Sequence, residues 1–331
     1  MAGASAASLS IAVANAGGLG ACGVLTMQPA DIAAWASEVR AHSNGAFQLN
    51  TWVPDPPPTR DPAREAQVRA FLSQWGPAVP PEAADAATPD FLAQCEAMLA
   101  AGPPIISSVM GLFPPEFVGR LKAKGIAWFA TVSTVAEARA AETAGADVII
   151  AQGGEAGGHR ACFEADAAER RQVGLFSLLP AIVDAVAIPV VATGGIADAR
   201  GVAAALILGA SAVQIGTAFL RCPEAKIPAA WAAALGRVAP EDTMISRVFS
   251  GRAGRSIATD YVLAATSAAA PVPAPYPLQR GLTAAMRTDA VKTGDVQRMQ
   301  AWAGQSAAFG QTEPAAALIE RVWTGAQELL R

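Results

Sequence analysis

The feature that most constrains this chain is a regular alternation of short apolar runs with longer stretches of helical character. The runs are rich in β-branched residues, and the stretches between them are long enough to return the chain across a sheet. This alternation is typical of βαβ units, in which helices join parallel strands. We predict strands at 19–24, 47–50, 105–108, 127–131, 148–152, 190–193 and 212–216, and helices at 29–41, 115–124, 135–144, 176–186 and 197–208, with two more within 61–101.

The seven predicted strands are one fewer than the eight that close a TIM-type (β/α)8 barrel. Residues 5–16 have the pattern of a helix, so we expect the first strand of the barrel to lie upstream of Met1; the alternative is an open variant with seven strands. After Pro223 the alternation stops. We therefore predict an α/β chain with a barrel in residues 1–222 and a C-terminal extension of helices and loops in residues 223–331 that caps the barrel.

The composition favours a large buried core and argues against several classes of protein. Of the 331 residues, 52% are hydrophobic and 16% are charged, which is enough for a large α/β core. The net charge of −4 and the lack of a Lys/Arg cluster argue against a nucleic-acid surface. The four cysteines form no C-x-x-C pair, so we predict no metal site, no disulfide scaffold and a cytoplasmic location. We find neither a signal peptide nor an apolar run that could span a membrane.

Two glycine turns follow the last two predicted strands. Gly194-Gly195 comes after strand 190–193, and Gly216-Thr217 comes at the end of strand 212–216. We expect each turn to open a helix, where free backbone N–H groups can hold a phosphate without a cation. Phosphate sites of barrels commonly lie in these last loops. The pair therefore predicts a phosphate site, and the alternative is two ordinary tight turns.

The segment AQGGEAGGHR, residues 151–160, leaves a predicted strand through a loop with four glycines. Glycine lets the main chain approach a flat ligand closely, and the loop brings His159 to the strand-end cavity. Because histidine has an unperturbed pKa of about 6.5, His159 is our candidate base. The alternative is a histidine that only braces the loop. We interpret Glu155 as a loop anchor or as a partner of Arg160 rather than as a base.

Two further polar residues have simpler interpretations. Asn50 ends strand 47–50, where its amide could bind a carbonyl or a ring nitrogen of a ligand, or serve as an ordinary strand-end cap. His42 lies in a polar stretch, and we interpret it as a solvated residue at the C-terminal end of a helix.

Segments along nearly the whole chain resemble the nitronate monooxygenase family, which is related to the flavin-dependent enoyl-ACP reductases. The resemblance implies a barrel that binds FMN and oxidises alkyl nitronates with O2 to a carbonyl compound and nitrite. The matching segments are MAG (1–3), NAGGLGACG (15–23), FQLN (47–50), AQGGEAGGHR (151–160), PVVATGGIAD (189–198), GASAVQIGTAFL (209–220), FSGRAGR (249–255) and WAGQSA (302–307).

The resemblance also implies roles for individual residues. His159 matches the proposed active-site base. Asn50, Thr131 and Gln152 match positions that touch the flavin ring or the ribityl chain. The two glycine turns match the turns that hold the phosphate. The complete implied set for FMN is Ala2, Gly3, Asn50, Thr131, Gln152, Gly157, Gly158, Gly194, Gly195, Gln214, Gly216 and Thr217.

The chain departs from the family in its C-terminal region. Well-characterised members that oxidise nitronates carry a Tyr, Tyr, Lys series spaced four residues apart, whereas this chain has Tyr276, Arg280 and Ala284. The departure affects the expected substrate more than the expected cofactor. Arg280 could instead bind an anionic group on the substrate.

Two other functions stay open from the sequence. An NAD(P)H-dependent flavin reductase of quinones or enoyl thioesters would use the same cofactor site. A flavin-free isomerase or lyase would need only the two glycine turns, which would hold a phosphorylated substrate. As partners we expect a small-molecule substrate and O2, but neither nucleic acid nor a membrane, and a homodimer is one candidate assembly.

Overall fold

A curled parallel sheet of seven strands forms the centre of the fold. A computed structural model describes residues 3–4, 6–85 and 88–331. All seven predicted strands are confirmed, with the predicted ends at 148–152 and 190–193 and with shifted ends elsewhere. In chain order the strands are β1 Gly20–Gly23, β2 Phe47–Trp52, β3 Ile105–Val109, β4 Ala127–Val132, β5 Val148–Gln152, β6 Gly158–His159, β7 Val190–Thr193, β8 Ala212–Gln214, β9 Thr243–Ser246 and β10 Gly254–Ile257. The seven parallel strands lie in the order β1-β2-β3-β4-β5-β7-β8.

The register of the parallel sheet aligns the carboxyl ends of its strands. Asn50 of β2 pairs with Gly23 of β1 on one side and with Ser107 of β3 on the other. Gln152 of β5 pairs with Thr193 of β7. Since every strand of this sheet runs in the same direction, the loops that follow them meet at one edge. This edge positions the candidate site.

Helices cover the outer face of the sheet, as expected for a TIM-type α/β fold. Leu49, Trp128 and Ile149 lie fully buried in the core that the strands share with these helices. The predicted helices are confirmed, again with shifted ends, because the apolar spacing locates an element better than its ends. They are α1 Ala7–Asn15, α2 Pro29–His42, α3 Pro62–Leu72, α4 Phe91–Ala101, α5 Pro115–Ala123, α6 Val135–Thr143, α7 Leu175–Val183 and α8 Ala199–Ile207.

Helix α1 covers an open edge of the sheet. In the described part of the chain β8 does not pair with β1, which leaves one side of β1 open where a closed barrel has a further strand. The hydroxyl of buried Ser10 donates to the carbonyl oxygen of Ala21 (3.1 Å) and accepts from the N–H of Ala21 (3.2 Å). A side chain thus pairs backbone groups that an adjacent strand would otherwise pair.

The C-terminal region is helical as predicted, and it also contains strands that the sequence did not predict. Strands β6, β10 and β9 form a small antiparallel sheet in which Gly254 pairs with His159 and Arg255 pairs with Gly158. This sheet ties the C-terminal region to the loop after β5. The division into units 1–222 and 223–331 stays a prediction. The later helices are α9 Ala229–Leu235, α10 Asp260–Ala265, α11 Leu278–Leu282, α12 Ala284–Thr293 and α13 Ala315–Leu329. None of the helices in the described ranges is long and apolar enough to cross a membrane.

Candidate active site

One cavity at the carboxyl edge of the parallel sheet collects the residues that the sequence singled out. Its volume is about 640 Å³, a size typical of small-molecule sites. Ala2 lies outside the described residues. The other predicted residues all line the cavity: Gly3, Asn50, Thr131, Gln152, Gly157, Gly158, His159, Gly194, Gly195, Gln214, Gly216 and Thr217. Their roles toward a cofactor stay predictions.

The two glycine turns present free backbone N–H groups to the cavity. Gly194 and Gly195 have φ angles of 107° and 71°, which glycine adopts without strain. Within the described part of the chain, the N–H groups of Gly194, Gly195 and Gly216 find no acceptor. Successive free N–H groups of this kind form a concave site for an anion. The arrangement therefore fits a phosphate better than it fits two ordinary turns.

The helix after the first turn takes no part in this site, which corrects our expectation. Helix α8 begins only at Ala199, and Asp198 caps it by accepting hydrogen bonds from the N–H groups of Arg200 (3.0 Å) and Gly201 (3.1 Å). A capped helix end has fewer donors to offer to a ligand. After β8, a 3-10 helix, Thr217–Arg221, does begin directly at the turn. The candidate anion site is thus built mainly from glycine N–H groups.

Gly157 marks a close approach between the glycine-rich loop and the C-terminal region. A Cβ atom on Gly157 would lie 2.4 Å from the nitrogen of Gly304 and 2.6 Å from the carbonyl carbon of Ala303. Because these are backbone atoms, they cannot move aside as a flexible side chain would. The N–H of Gly304 also donates to Thr217 Oγ1 (3.0 Å). The segment 302–306 therefore contacts both the loop and the second glycine turn.

Polar groups brace the glycine-rich loop from inside the protein. Gln152 Nε2 donates to the carbonyl oxygen of His159 (3.1 Å), and Gln152 Oε1 accepts from the N–H of Ala161 (2.9 Å). The fully buried Arg160 donates to the carbonyl oxygen of Gly153 (2.6 Å). Both side chains therefore hold the two ends of the loop together, although Gln152 also lines the cavity.

The interpretation of Glu155 as a loop anchor is confirmed. Its carboxylate accepts from the N–H of Leu175 at 2.9 and 3.0 Å and lies outside the cavity lining. It forms no ion pair with Arg160 among the described residues. His42 is the exposed last residue of α2, and its Nδ1 lies 2.9 Å from the carbonyl oxygen of Glu38, as its interpretation as a solvated helix end predicts.

His159 is enclosed by two tryptophans and a serine. Its ring lies 4.6 Å from the ring of Trp52 and 4.7 Å from that of Trp302, both edge to face. Its Nε2 atom lies 2.7 Å from the hydroxyl oxygen of Ser250. Its Nδ1 atom has no hydrogen-bond partner among the residues that the structure describes. Nδ1 is therefore the ring nitrogen that remains for a ligand.

This enclosure keeps the imidazole of His159 neutral. Burial, with a further contribution from the positive charges of Arg252 and Arg280, lowers the pKa of His159 to about 3. Arg252 is itself buried and forms an ion pair with Asp55 (2.9 Å). His159 is consequently neutral at physiological pH, and it is a much weaker base than its ordinary pKa led us to expect.

Two side-chain amides near the strand ends each use one of their two polar atoms in a hydrogen bond within the protein. Asn50 Nδ2 donates to the hydroxyl oxygen of Ser107 (2.9 Å), so its Oδ1 is the atom that can accept from a ligand. Gln214 Oε1 accepts from Gln48 Nε2 (3.0 Å), so its own N–H groups remain for a ligand. Thr131 lines the cavity at the end of β4 and has no side-chain hydrogen bond in the described part.

The structure adds cavity residues that the sequence did not indicate. Three of them, Trp302, Gly304 and Ser306, belong to the segment WAGQSA, whose resemblance to the family was a signal that could have found them. The Ser306 hydroxyl donates to the carbonyl oxygen of Gly195 (2.6 Å) and so reaches the first glycine turn. Other additions lie outside the matching segments and carried no local signal, and they include Trp52, Arg287, Thr288 and Gln300.

Comparison with known proteins agrees with this geometry. The profile of a family described as nitronate monooxygenase matches residues 1–325. The chain belongs to the nitronate monooxygenase family. It is 37% identical over 330 residues to a nitronate monooxygenase of Paraburkholderia phytofirmans, a match that covers 97% of this chain and 89% of the relative. It is 33% identical over 325 residues to a probable nitronate monooxygenase of Staphylococcus aureus, with 97% and 91% covered.

Solved structures show the same relationship. The structure of a nitroalkane oxidase from Streptomyces ansochromogenes is similar with a TM-score of 0.90 and 33% identity over 99% of this chain and 94% of that one. The structure of FabK from Thermotoga maritima is similar with a TM-score of 0.75 and 27% identity over 100% and 91%. This family member is therefore an enzyme, an oxidoreductase of the flavin-dependent type. The alternative of a flavin-free isomerase or lyase is set aside.

The close approach at Gly157 predicts a specific loss of stability in this family member. Gly157→Ala should lower the free energy of unfolding by about 1–3 kcal/mol or more, because the added methyl group meets backbone atoms. The control is Gly119→Ala in α5, where an added Cβ meets nothing within 4 Å. Because alanine is favoured over glycine inside a helix, this substitution should raise the free energy of unfolding by about 0.5–1 kcal/mol. Urea unfolding measures both. Equal stability of Gly157→Ala and the parent would contradict the close approach.

The low pKa of His159 predicts a loss of stability on acidification. Below pH ~6.5 the unfolded chain takes up a proton at His159, whereas the folded chain does not until the pH approaches 3. At pH 5 this difference lowers the free energy of unfolding by about 2 kcal/mol, at about 1.4 kcal/mol per pH unit. His159→Gln should remove that part of the pH dependence between pH 7 and 5, and His42→Gln should not. Denaturant unfolding at each pH gives the free energy of unfolding. If this free energy changed with pH as much in His159→Gln as in the parent, the prediction would be wrong.

Proposed function

We propose that this protein binds FMN and oxidises alkyl nitronates with O2 to a carbonyl compound and nitrite. The observation that carries the proposal is one cavity lined both by the glycine turns with their free N–H groups and by His159, which two tryptophans enclose. Membership in the nitronate monooxygenase family supports it. The partners that we propose are a small nitronate and O2, and the cytoplasmic location and a homodimer remain predictions.

The residues of the cavity fit FMN. The free N–H groups of Gly194, Gly195 and Gly216 suit its phosphate. Asn50 Oδ1 is an acceptor without a protein donor in the described part. When bound, FMN would supply the capacity to take an electron from the substrate and pass it to O2. The protein contributes binding, orientation and the exclusion of water.

His159 is suited to holding an anionic substrate rather than to removing a proton from a neutral one. An imidazole whose pKa lies near 3 is a poor acceptor for a carbon-bound proton at neutral pH. Because Ser250 lies at Nε2, Nδ1 is the ring nitrogen left for the substrate, and in the tautomer that carries its proton on Nδ1 the imidazole would donate a hydrogen bond to the nitronate. Trp52 and Trp302 pack edge to face against the ring and fix its plane. We infer that the substrate arrives as the nitronate.

An NAD(P)H-dependent flavin reductase is the second candidate function. The observation that favours it is the similarity to the structure of FabK from Thermotoga maritima, which has a TM-score of 0.75. Under this alternative the cavity must also admit a nicotinamide beside the flavin. The nitroalkane oxidase of Streptomyces ansochromogenes, with a TM-score of 0.90, favours the first candidate.

Reduction of the flavin under anaerobic conditions separates the two candidates. We expect the flavin absorbance of the FMN-loaded protein to stay unchanged with NADH or NADPH, because nitronate oxidation needs no nicotinamide. We expect it to fall when ethyl nitronate is added, and oxygen uptake to follow in air. Bleaching by NADH or NADPH, without bleaching by the nitronate, would overturn nitronate oxidation in favour of the reductase.

The state of His159 predicts a preference for the nitronate over its parent nitroalkane. General-base catalysis typically contributes a factor of about 10²–10⁴, so we expect kcat/KM for nitroethane to be lower than for ethyl nitronate by about that factor. His159→Asn should lower kcat/KM for ethyl nitronate by about 10- to 100-fold through the lost hydrogen bond to a charged group. Comparable rates with both substrates, together with a selective loss of nitroethane turnover in His159→Asn, would restore the role of base.

A further inference from the structure

Gln48 is a buried polar residue that lines the cavity from strand β2. The alternation of side chains along the strand places Phe47 and Leu49 in the core and Gln48 and Asn50 at the cavity. Only 5% of the surface of Gln48 is exposed. Because Gln48 comes before Asn50 on a strand that runs toward the carboxyl edge, it lies deeper in the cavity than Asn50 does.

The side-chain amide of Gln48 has one paired polar atom and one unpaired polar atom. Its Nε2 donates to Gln214 Oε1 on β8 (3.0 Å). Its Oε1 is buried and finds no donor among the residues that the structure describes. A buried acceptor without a donor is unfavourable, and such atoms are uncommon in folded proteins. A ligand that supplies an N–H or O–H group at this depth would remove the unfavourable term.

The hydrogen bond from Gln48 also orients the amide of Gln214. Because Gln214 Oε1 accepts from Gln48, its Nε2 group is left without an acceptor in the described part of the chain. Both residues line the cavity. The pair therefore offers a ligand one acceptor, Gln48 Oε1, and the N–H donors of Gln214. A hydroxyl group donates one hydrogen bond and accepts two, so it has the donor and the acceptors that these amides lack.

The position of the pair indicates which part of a ligand lies there. A doubly charged phosphate has acceptor oxygens but no donor, so it cannot pair Gln48 Oε1. The turn at Gly216, whose free N–H suits a phosphate, follows Gln214 directly after β8. In FMN the ribityl chain joins the phosphate to the ring, and it carries hydroxyl groups. The part of FMN next to the phosphate thus has the chemistry that the pair requires.

We propose that Gln48 Oε1 accepts a hydrogen bond from a ribityl hydroxyl of bound FMN, and that Gln48 and Gln214 together recognise this part of the cofactor. The inference rests on the proposed function in one respect, namely that FMN is the ligand of the cavity. Gln48 lies outside the set of cofactor residues that the family resemblance implied. The N3–H group of the flavin ring is also a donor, and the test below distinguishes the two.

Binding of FMN analogues tests the hydrogen bond without turnover. Quenching of flavin fluorescence, measured on protein from which FMN has been removed, gives Kd for FMN and for 2′-, 3′- and 4′-deoxy-FMN. Gln48→Met keeps the length of the side chain but not its polar atoms, and it should weaken binding of FMN by about 10-fold. It should leave Kd unchanged for the one analogue that lacks the hydroxyl held by Gln48.

A matched control and a measurement on the parent accompany this variant. The control is Gln172→Met, at a half-buried residue outside the cavity lining that donates to the carbonyl oxygen of Ala168, and it should bind FMN as the parent does. In the parent, one deoxy analogue should bind about 10-fold more weakly than FMN. This measurement needs no variant, so it decides the inference even if Gln48→Met does not fold. Equal binding of FMN and all three deoxy analogues by the parent would overturn the inference.

The analogues also separate the donors. If Gln48→Met weakened binding of FMN and of every deoxy analogue equally, but not binding of N3-methyl-FMN, the donor would be the ring and the ribityl assignment would be overturned. An equal loss for all the flavins would mean that the substitution alters the whole cavity, and it would overturn the direct hydrogen bond. Equal Kd values for FMN in the parent and in a folded Gln48→Met variant would show that water satisfies Gln48 Oε1.

Failure of this inference is distinguishable from failure of the proposed function. If the parent binds FMN but oxidises no nitronate, the proposed function fails, and the analogues still decide the role of Gln48. If the parent oxidises ethyl nitronate and Gln48→Met binds all the flavins as the parent does, only the role of Gln48 fails. If the parent does not bind FMN, both fail.

Discussion

The contact between two backbones, at Gly157 and Gly304, is the constraint on which the rest of the site depends. Because no side chain lies between these two backbones, segment 302–306 can form hydrogen bonds with Thr217 Oγ1 (3.0 Å) and with the carbonyl oxygen of Gly195 (2.6 Å). The same segment places Trp302 against His159 at 4.7 Å. A larger residue at Gly157 would push the C-terminal region away from the barrel. Trp302, which packs against His159, would then move away from the glycine turns that would hold a phosphate.

That enclosure also determines the electrostatics of the cavity. Burial removes the charge from His159, whose pKa falls to about 3, but not from the cavity arginines, since even the half-buried Arg287 keeps a pKa of about 10. The cavity therefore combines a neutral imidazole, free backbone N–H groups and two guanidinium groups without acidic partners in the described part. The N–H groups and the guanidinium groups suit anions, and all of these groups line one cavity.

Much of the fold could be predicted from the sequence. The strands, the helices around them and the glycine turns follow from local patterns, and the parallel direction of the strands brings Asn50, Gln152 and the turns to one edge. The start of α8 was misplaced, because the cap at Asp198 lies beyond the turn and competes with it for N–H groups. Strands β9 and β10 were missed, since each is only four residues long, and β10 also depends on pairing with the distant β6.

By itself, the sequence determined the parallel α/β architecture, the residues that meet at its edge and the resemblance to a family. These three features depend on patterns within a few neighbouring residues, which can be recognised in the sequence alone. Only the tertiary structure decided that His159 is neutral, that Ser250 occupies its Nε2 and that Arg280 and Arg287 face the cavity without acidic partners in the described ranges. Those properties depend on contacts such as the one between His159 and Ser250, which are 91 residues apart. A pKa depends on every charge and every water molecule that the fold brings near or excludes, and no local pattern encodes it.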